Sequence, residues 1–278
     1  MMRETLRRLA AEDNLRTLPE IGIDGKYVVY EGRKYLNLSS NDYLGLSCSG
    51  LHREFMRRMT DEGDFLLSNP SSRLITGNSP DYGRLEMALS ELFGGRAVLV
   101  VGCGYMVNSG VLPAVTGKGD LVLADKLVHA SIIDGIRLST ARCIRFRHND
   151  LVQLERLLEQ HHATFRQLII VTESIFSMDG DQADLTALVR LKKRYSNVLL
   201  YVDEAHAFGV RGPRGLGCAE ETGCIRDIDF LVGTFGKAAA SAGAYIACCR
   251  TIREYLVNRM RTLIFTTALP PTSIAWTL

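Results

Sequence analysis

At 278 residues, with 46% apolar and 23% charged side chains, the sequence can bury one large core, and its composition excludes a disordered or membrane-embedded chain. Its 33 basic and 31 acidic residues are mixed along the chain and net to +2, so no extended positive field marks a nucleic-acid binder. The seven cysteines include no C-x-x-C pair, which argues against a disulfide framework or a zinc site and fits a reducing cytoplasm.

Residues 1–18 place Leu6, Leu9, Ala10 and Leu15 among charges, the pattern of an amphipathic helix without the apolar centre of a signal peptide. No stretch approaches the length of a membrane span. Residues 1–45 read as an N-terminal arm and helix, and residues 46–278 as one large domain. Residues 61–83 are rich in Ser, Asn, Pro and Gly and too long for a simple connector, which predicts a functional loop.

From about residue 97 one theme repeats: a short apolar run, a polar or Gly-bearing turn, then a helical pattern. The runs are 97–101, 121–124, 143–146, 168–171, 198–202, 230–233 and 244–248. They predict an α/β fold with a mostly parallel seven-stranded sheet and helices on both faces. The connection into residues 244–248 is short, so that run is the expected antiparallel exception. Leu151, Leu154, Leu157 and Leu158 make one helix face behind the cap candidates Asn149 and Asp150, and Leu185, Leu188, Leu191 and Tyr195 do so behind Asp184. After Thr266 to Pro271, the residues Ile274, Ala275, Trp276 and Leu278 begin another apolar helix.

The chemistry concentrates at the ends of these runs. Lys237, in Thr234-Phe235-Gly236-Lys237, follows one predicted strand, and Asp203, in Val202-Asp203-Glu204-Ala205-His206, ends another. Ligands in open α/β sheets gather at such ends. A lysine there can hold an aldehyde cofactor as an imine, and the Asp203 carboxylate can keep a ring nitrogen protonated, which together describe a pyridoxal phosphate site. His206 lies in the same turn as a candidate partner of the ring hydroxyl.

Gly102-Cys103-Gly104-Tyr105, between a strand and a helix, offers backbone N–H groups to a phosphate, with Thr234 as a candidate hydroxyl. His129 follows another strand and can cover the ring face or donate a proton. Each feature alone has a plainer reading: a lysine after a glycine is usually a surface residue, and Asp203 with His206 can be a turn pair. D-E-A-H resembles a helicase box, but that reading needs an upstream phosphate loop that the sequence lacks. His52, His148, His161 and His162 read as solvated.

Several segments, in this order, resemble the α-oxoamine synthases, a branch of the fold-type I pyridoxal phosphate enzymes. They are Ser39 to Leu46, Leu127 to Ser131, Arg147 to Asp150, Thr172 to Asp181, Val202 to His206, Thr234 to Lys237, and Thr266 to Pro271. The resemblance implies that Lys237 is the Schiff-base lysine, Asp203 the partner of the pyridine nitrogen, His206 a contact of the ring hydroxyl and His129 the stacking histidine. It also implies Ser177 near the ring, Gly104, Tyr105 and Thr234 at the phosphate, and Asn41 and Thr76 toward the substrate, near or across a homodimer interface.

The family reaction condenses an amino acid with an acyl-CoA, losing CoA and carbon dioxide. T-F-G-K and S-M-D-G-D are most similar to the branch that joins L-alanine to a pimeloyl thioester on the way to biotin. Glycine C-acetyltransferases share nearly all of these motifs. An aminotransferase or lyase of the same fold, and a non-catalytic paralogue, are the alternatives. Two departures stand out: Ala238, Ala239 and Ala240 replace glycines common in relatives, and a C-terminal small domain with a carboxylate-binding arginine is expected to be missing.

Overall fold

The structure, a computed structural model, describes residues 1–63 and 66–278. Contacts divide it into two compact units, Met1–Ser40 and Asn41–Leu278. In the first, helix α1 (Met2–Ala11) precedes an antiparallel sheet of β1 (Gly22–Asp24), β2 (Tyr27–Tyr30) and β3 (Arg33–Leu36). α1 is shorter than the helix expected over residues 1–18, because the chain turns at Asp13 with a left-handed φ of 53°. It buries no side chain, so no packing extends it. The three short strands went unread in the sequence.

In the second unit, α2 (Leu51–Glu62) and α3 (Pro80–Leu92) precede β4 (Ala97–Val101) and α4 (Gly104–Val115). Both helices intrude on the loop expected over residues 61–83, which narrows to residues 63–79; Asp64 and Phe65 within it lie outside the described residues. Then come β5 (Asp120–Asp125), α5 (Ala130–Leu138), β6 (Arg142–Phe146), α6 (Leu151–His161), β7 (Gln167–Glu173), α7 (Leu185–Lys193) and β8 (Val198–Asp203). The chain continues through α8 (Cys218–Glu221), β9 (Phe230–Thr234), β10 (Ala244–Cys248), α9 (Arg250–Arg259), α10 (Arg261–Ile264) and α11 (Pro271–Thr277).

All seven expected strands form one sheet in the order β4-β10-β9-β8-β7-β5-β6. β10 is antiparallel to both neighbours, as its short connection predicts, while the β5–β6, β5–β7, β7–β8 and β8–β9 pairs are parallel. Side chains alternate between two buried layers. Val98, Val100, Leu168, Ile170, Leu200 and Val202 share one with Leu85 of α3, Leu154 of α6 and Leu188 of α7. Leu99, Val101, Ile169, Val171 and Val232 share the other with Val107 of α4, Ile132 of α5 and Leu256 of α9. Burial on both faces explains why the strands read as continuous apolar runs.

Asp150 and Asp184 cap α6 and α7 through the N–H groups of Gln153 and Ala187. Asn149 is not a cap: with φ 51° it turns its side chain to Asp181 and the Gln182 carbonyl instead. α5 lies so close to α4 that a Cβ on Gly135 would stand 2.2 Å from the Asn108 carbonyl oxygen. That approach places Asn108 under the site described next.

Candidate active site

A cleft of about 170 Å³ opens where β5, β7, β8 and β9 end, lined by residues that include Gly104, Tyr105, His129, Asp203, His206, Thr234 and Lys237. The register explains the convergence, since Glu173 and Asp203 are paired at the ends of β7 and β8, and Asp203 is paired with Val232 of β9. Lys237 follows β9 by one turn, and His129 follows β5 as the residue capping α5.

Asp203, only 4% exposed, accepts hydrogen bonds from Asn108 Nδ2 at 2.7 Å and from the Ala205 N–H at 2.9 Å. Asn108 is itself fixed, donating to Ser131 Oγ at 3.0 Å and accepting from the Tyr201 hydroxyl. Two donors, one on each oxygen, therefore fix the carboxylate at the cleft floor.

Lys237 Nζ lies 2.7 Å from His206 Nε2, and His206 Nδ1 lies 2.7 Å from the Tyr43 hydroxyl, which in turn donates to Asn41 Oδ1 at 3.0 Å. With Lys237 protonated, one proton arrangement satisfies this chain. Tyr43 gives its hydrogen to Asn41, so His206 must donate from Nδ1 and accept from Lys237 at Nε2. His206 is therefore neutral. Burial, reinforced by the Lys237 charge, lowers its pKa to about 4. Burial also lowers the Lys237 pKa, against the pull of Asp203 and Glu173, which moves the amine toward its basic, proton-accepting form.

At the other side of the cleft, α4 begins at Gly104, and the N–H groups of its first turn have no intrahelical acceptor. Thr234 Oγ1 donates to the Gly243 carbonyl and accepts from the Gly236 N–H, which ties down the turn into Lys237. Within that turn Ala240 has φ 45°, a left-handed conformation that favours glycine, and Ala238 packs where a Cβ on Gly209 would come within 2.7 Å. The alanines that depart from the relatives thus fit, at the cost of one strained residue.

Three expected positions lie elsewhere. Ser177 is exposed beyond β7 and does not line the cleft, because the chain turns outward after Phe176. Thr76 is exposed, its N–H donating to Ser71 Oγ, and Asn41 meets the site through Tyr43. Conversely, Asn108, Ser131, Glu173 and Ala205 line the cleft without having been singled out.

Two histidines read as solvated are not. His52 stacks on Trp276 with ring centroids 3.8 Å apart. His148 donates from Nδ1 to Asp125 at 2.9 Å and from Nε2 to Asp181 at 2.6 Å. Carboxylates only accept, so both ring nitrogens carry protons and the ring is a cation. Burial opposes that charge, but the two carboxylates outweigh it and raise the pKa. This clamp joins the strand end leading to His129 with the turn after Phe176.

A mostly parallel sheet with a half-buried lysine, a buried aspartate and a helix start around one cleft defines a transferase site for an aldehyde cofactor bearing a phosphate. Residues 33–278 match the family described as aminotransferase class I and II. The 8-amino-7-oxononanoate synthase of Haemophilus ducreyi is 53% identical over 280 residues, which take in 99% of this chain and 72% of that protein.

Among solved structures, a serine palmitoyltransferase from S. paucimobilis with bound PLP and myriocin superposes with a TM-score of 0.87 at 28% identity, over 99% of this chain and 69% of that one. An 8-amino-7-oxononanoate synthase from Francisella tularensis gives 0.69 at 30% identity, over 86% and 66%. The chain belongs to the class I and II aminotransferase family, and within it to the α-oxoamine synthases, as its motifs imply. It is of the pyridoxal phosphate-dependent acyltransferase class. No helix among the described residues is long and apolar enough to cross a membrane, and no cluster of described side chains is built to hold a metal.

Proposed function

We propose that the chain condenses L-alanine with a pimeloyl thioester, releasing carbon dioxide and CoA and giving 8-amino-7-oxononanoate. One observation carries the reading: a lysine with a lowered pKa, 2.7 Å from a neutral histidine, shares one small cleft with a charged, buried aspartate. The 53% identity to the H. ducreyi synthase favours this acyl group over that of the serine palmitoyltransferase, which is 28% identical.

The donor set fits pyridoxal phosphate: an amine for the aldehyde, a carboxylate with donors on both oxygens for the ring nitrogen, and free N–H groups at a helix start for the phosphate. Lys237, Asp203, His129 and His206 would hold the ring, and Gly104, Tyr105 and Thr234 the phosphate. When bound, the cofactor would supply an electron sink for the pair left on the substrate Cα. Lys237 Nζ takes the Cα proton and later returns one, a role suited to its lowered pKa. His206 accepts an N–H from Lys237 and so points the Nζ lone pair away from itself. Asp203 would pair with the ring nitrogen, and His129 presents its imidazole to the acyl oxygen or the substrate carboxylate.

Residues 46–278 form the cofactor-binding body in this reading, with residues 1–45 as an arm, and the chain acts as a homodimer, with Asn41 acting on the site through Tyr43. The test is thiol release from pimeloyl-CoA by purified, PLP-loaded protein. Release that depends on alanine is the expected result. Release without any amino acid, or turnover only with an added keto acid acceptor, overturns the assignment.

A further inference from the structure

A second carboxyl shares the cleft floor with Asp203. Glu173, at the end of β7, is the registered cross-strand partner of Asp203, is 2% exposed, and lines the cleft. The two acids are treated differently. Asp203 receives donors on both oxygens, whereas the one hydrogen-bond donor to the Glu173 carboxyl among the described residues is the His129 N–H, 2.6 Å from Oε1. Two adjacent buried carboxylates do not both ionise readily, and the one with fewer donors keeps the proton.

We propose that Glu173 is a neutral acid in this cleft: Oε1 fixes the backbone of His129, and the proton on Oε2 is a hydrogen-bond donor to an oxygen of the bound cofactor. The inference rests on the pyridoxal phosphate reading above. It gives the cleft floor one negative charge, on Asp203, and one neutral donor beside it. Charges from every side bear on Glu173. Burial disfavours its anion most, Asp203 on β8 and Asp125 on β5 add repulsion, and the His129 N–H and the Lys237 charge oppose them, leaving its pKa raised to about 8.

The sign for stability follows. The folded value lies above the unfolded one, so the contribution of Glu173 is complete below the ordinary carboxylate range and is lost as pH rises through about 8.

Two measurements test this. In the cofactor-free full chain, carboxyl NMR of labelled glutamate is expected to show the Glu173 signal, assigned by its absence from Glu173→Gln, titrating near pH 8. A Glu173 signal that titrates in the ordinary carboxylate range overturns the proposal. PLP titration by fluorescence then reads the donor. Glu173→Ala binds PLP about tenfold more weakly, the worth of one buried hydrogen bond, and Glu173→Gln, which restores an N–H donor, regains most of that loss. Equal losses in the two variants make the residue merely structural and contradict the donor role. If wild-type protein binds no PLP, the reading of the cleft fails, while the NMR result stands on its own.

Discussion

Asp203 and Glu204 are consecutive, both buried, and serve two different polar regions. Asp203 faces the cleft with donors from Asn108 and Ala205. Glu204, fully buried, turns away from the cleft and accepts from Ser174 Oγ, the Cys218 N–H and the Ala219 N–H. Those bonds staple residues 205–217, the segment that carries His206, back onto the sheet. The staple is tight: a Cβ on Gly217, whose φ is 106°, would stand 2.5 Å from Glu204 Oε2. Alternation at a strand end thus gives one acid to chemistry and the next to architecture, and enclosure by donors, more than burial, separates them.

The largest expected effect is on the cleft side. Asp203→Asn keeps shape and most hydrogen bonding but removes the charge, and alanine-dependent thiol release should fall by about a hundredfold or more while the melting temperature changes little. Glu204→Ala should do the reverse. It strands three donors in a dry pocket and should cost about 3 kcal/mol in denaturant unfolding. Should Asp203→Asn mainly unfold the protein, or Glu204→Ala leave its stability intact, the division between the two regions breaks down.

A smaller effect sharpens it. Burial, against its donors, raises the Glu204 pKa to about 7. Its stabilising contribution is therefore complete below the ordinary carboxylate range and lost as pH rises through about 7. Thermal melts of Glu204→Gln should show a shallower decline over that range than wild type.

Much of this architecture is legible in the sequence because each strand is buried on both faces and so reads as an uninterrupted apolar run. The antiparallel β10 is legible from its short connection. Asp203, His206 and Lys237 are legible because each follows an apolar run within a few residues. Glu173 carries the same signal, an acid ending the apolar stretch of β7, and its pairing with Asp203 shows only once register is known.

Asn108 is harder to read, a polar residue within the apolar stretch of α4 whose partners come from α5 and β8. Tyr43 reaches His206 across 163 positions, and no local pattern encodes that contact. The hairpin strands of residues 22–36 are too short and too exposed for alternation to stand out. His148 reads as polar surface because both its carboxylate partners are remote in sequence.

The central claim is that Lys237 is the residue on which the cofactor is held. Borohydride reduction of the PLP-treated protein, followed by peptide mass mapping, tests it most directly. A pyridoxyl mass on the peptide containing Lys237 is the predicted result. An unmodified Lys237, or label fixed on another lysine, would contradict the account.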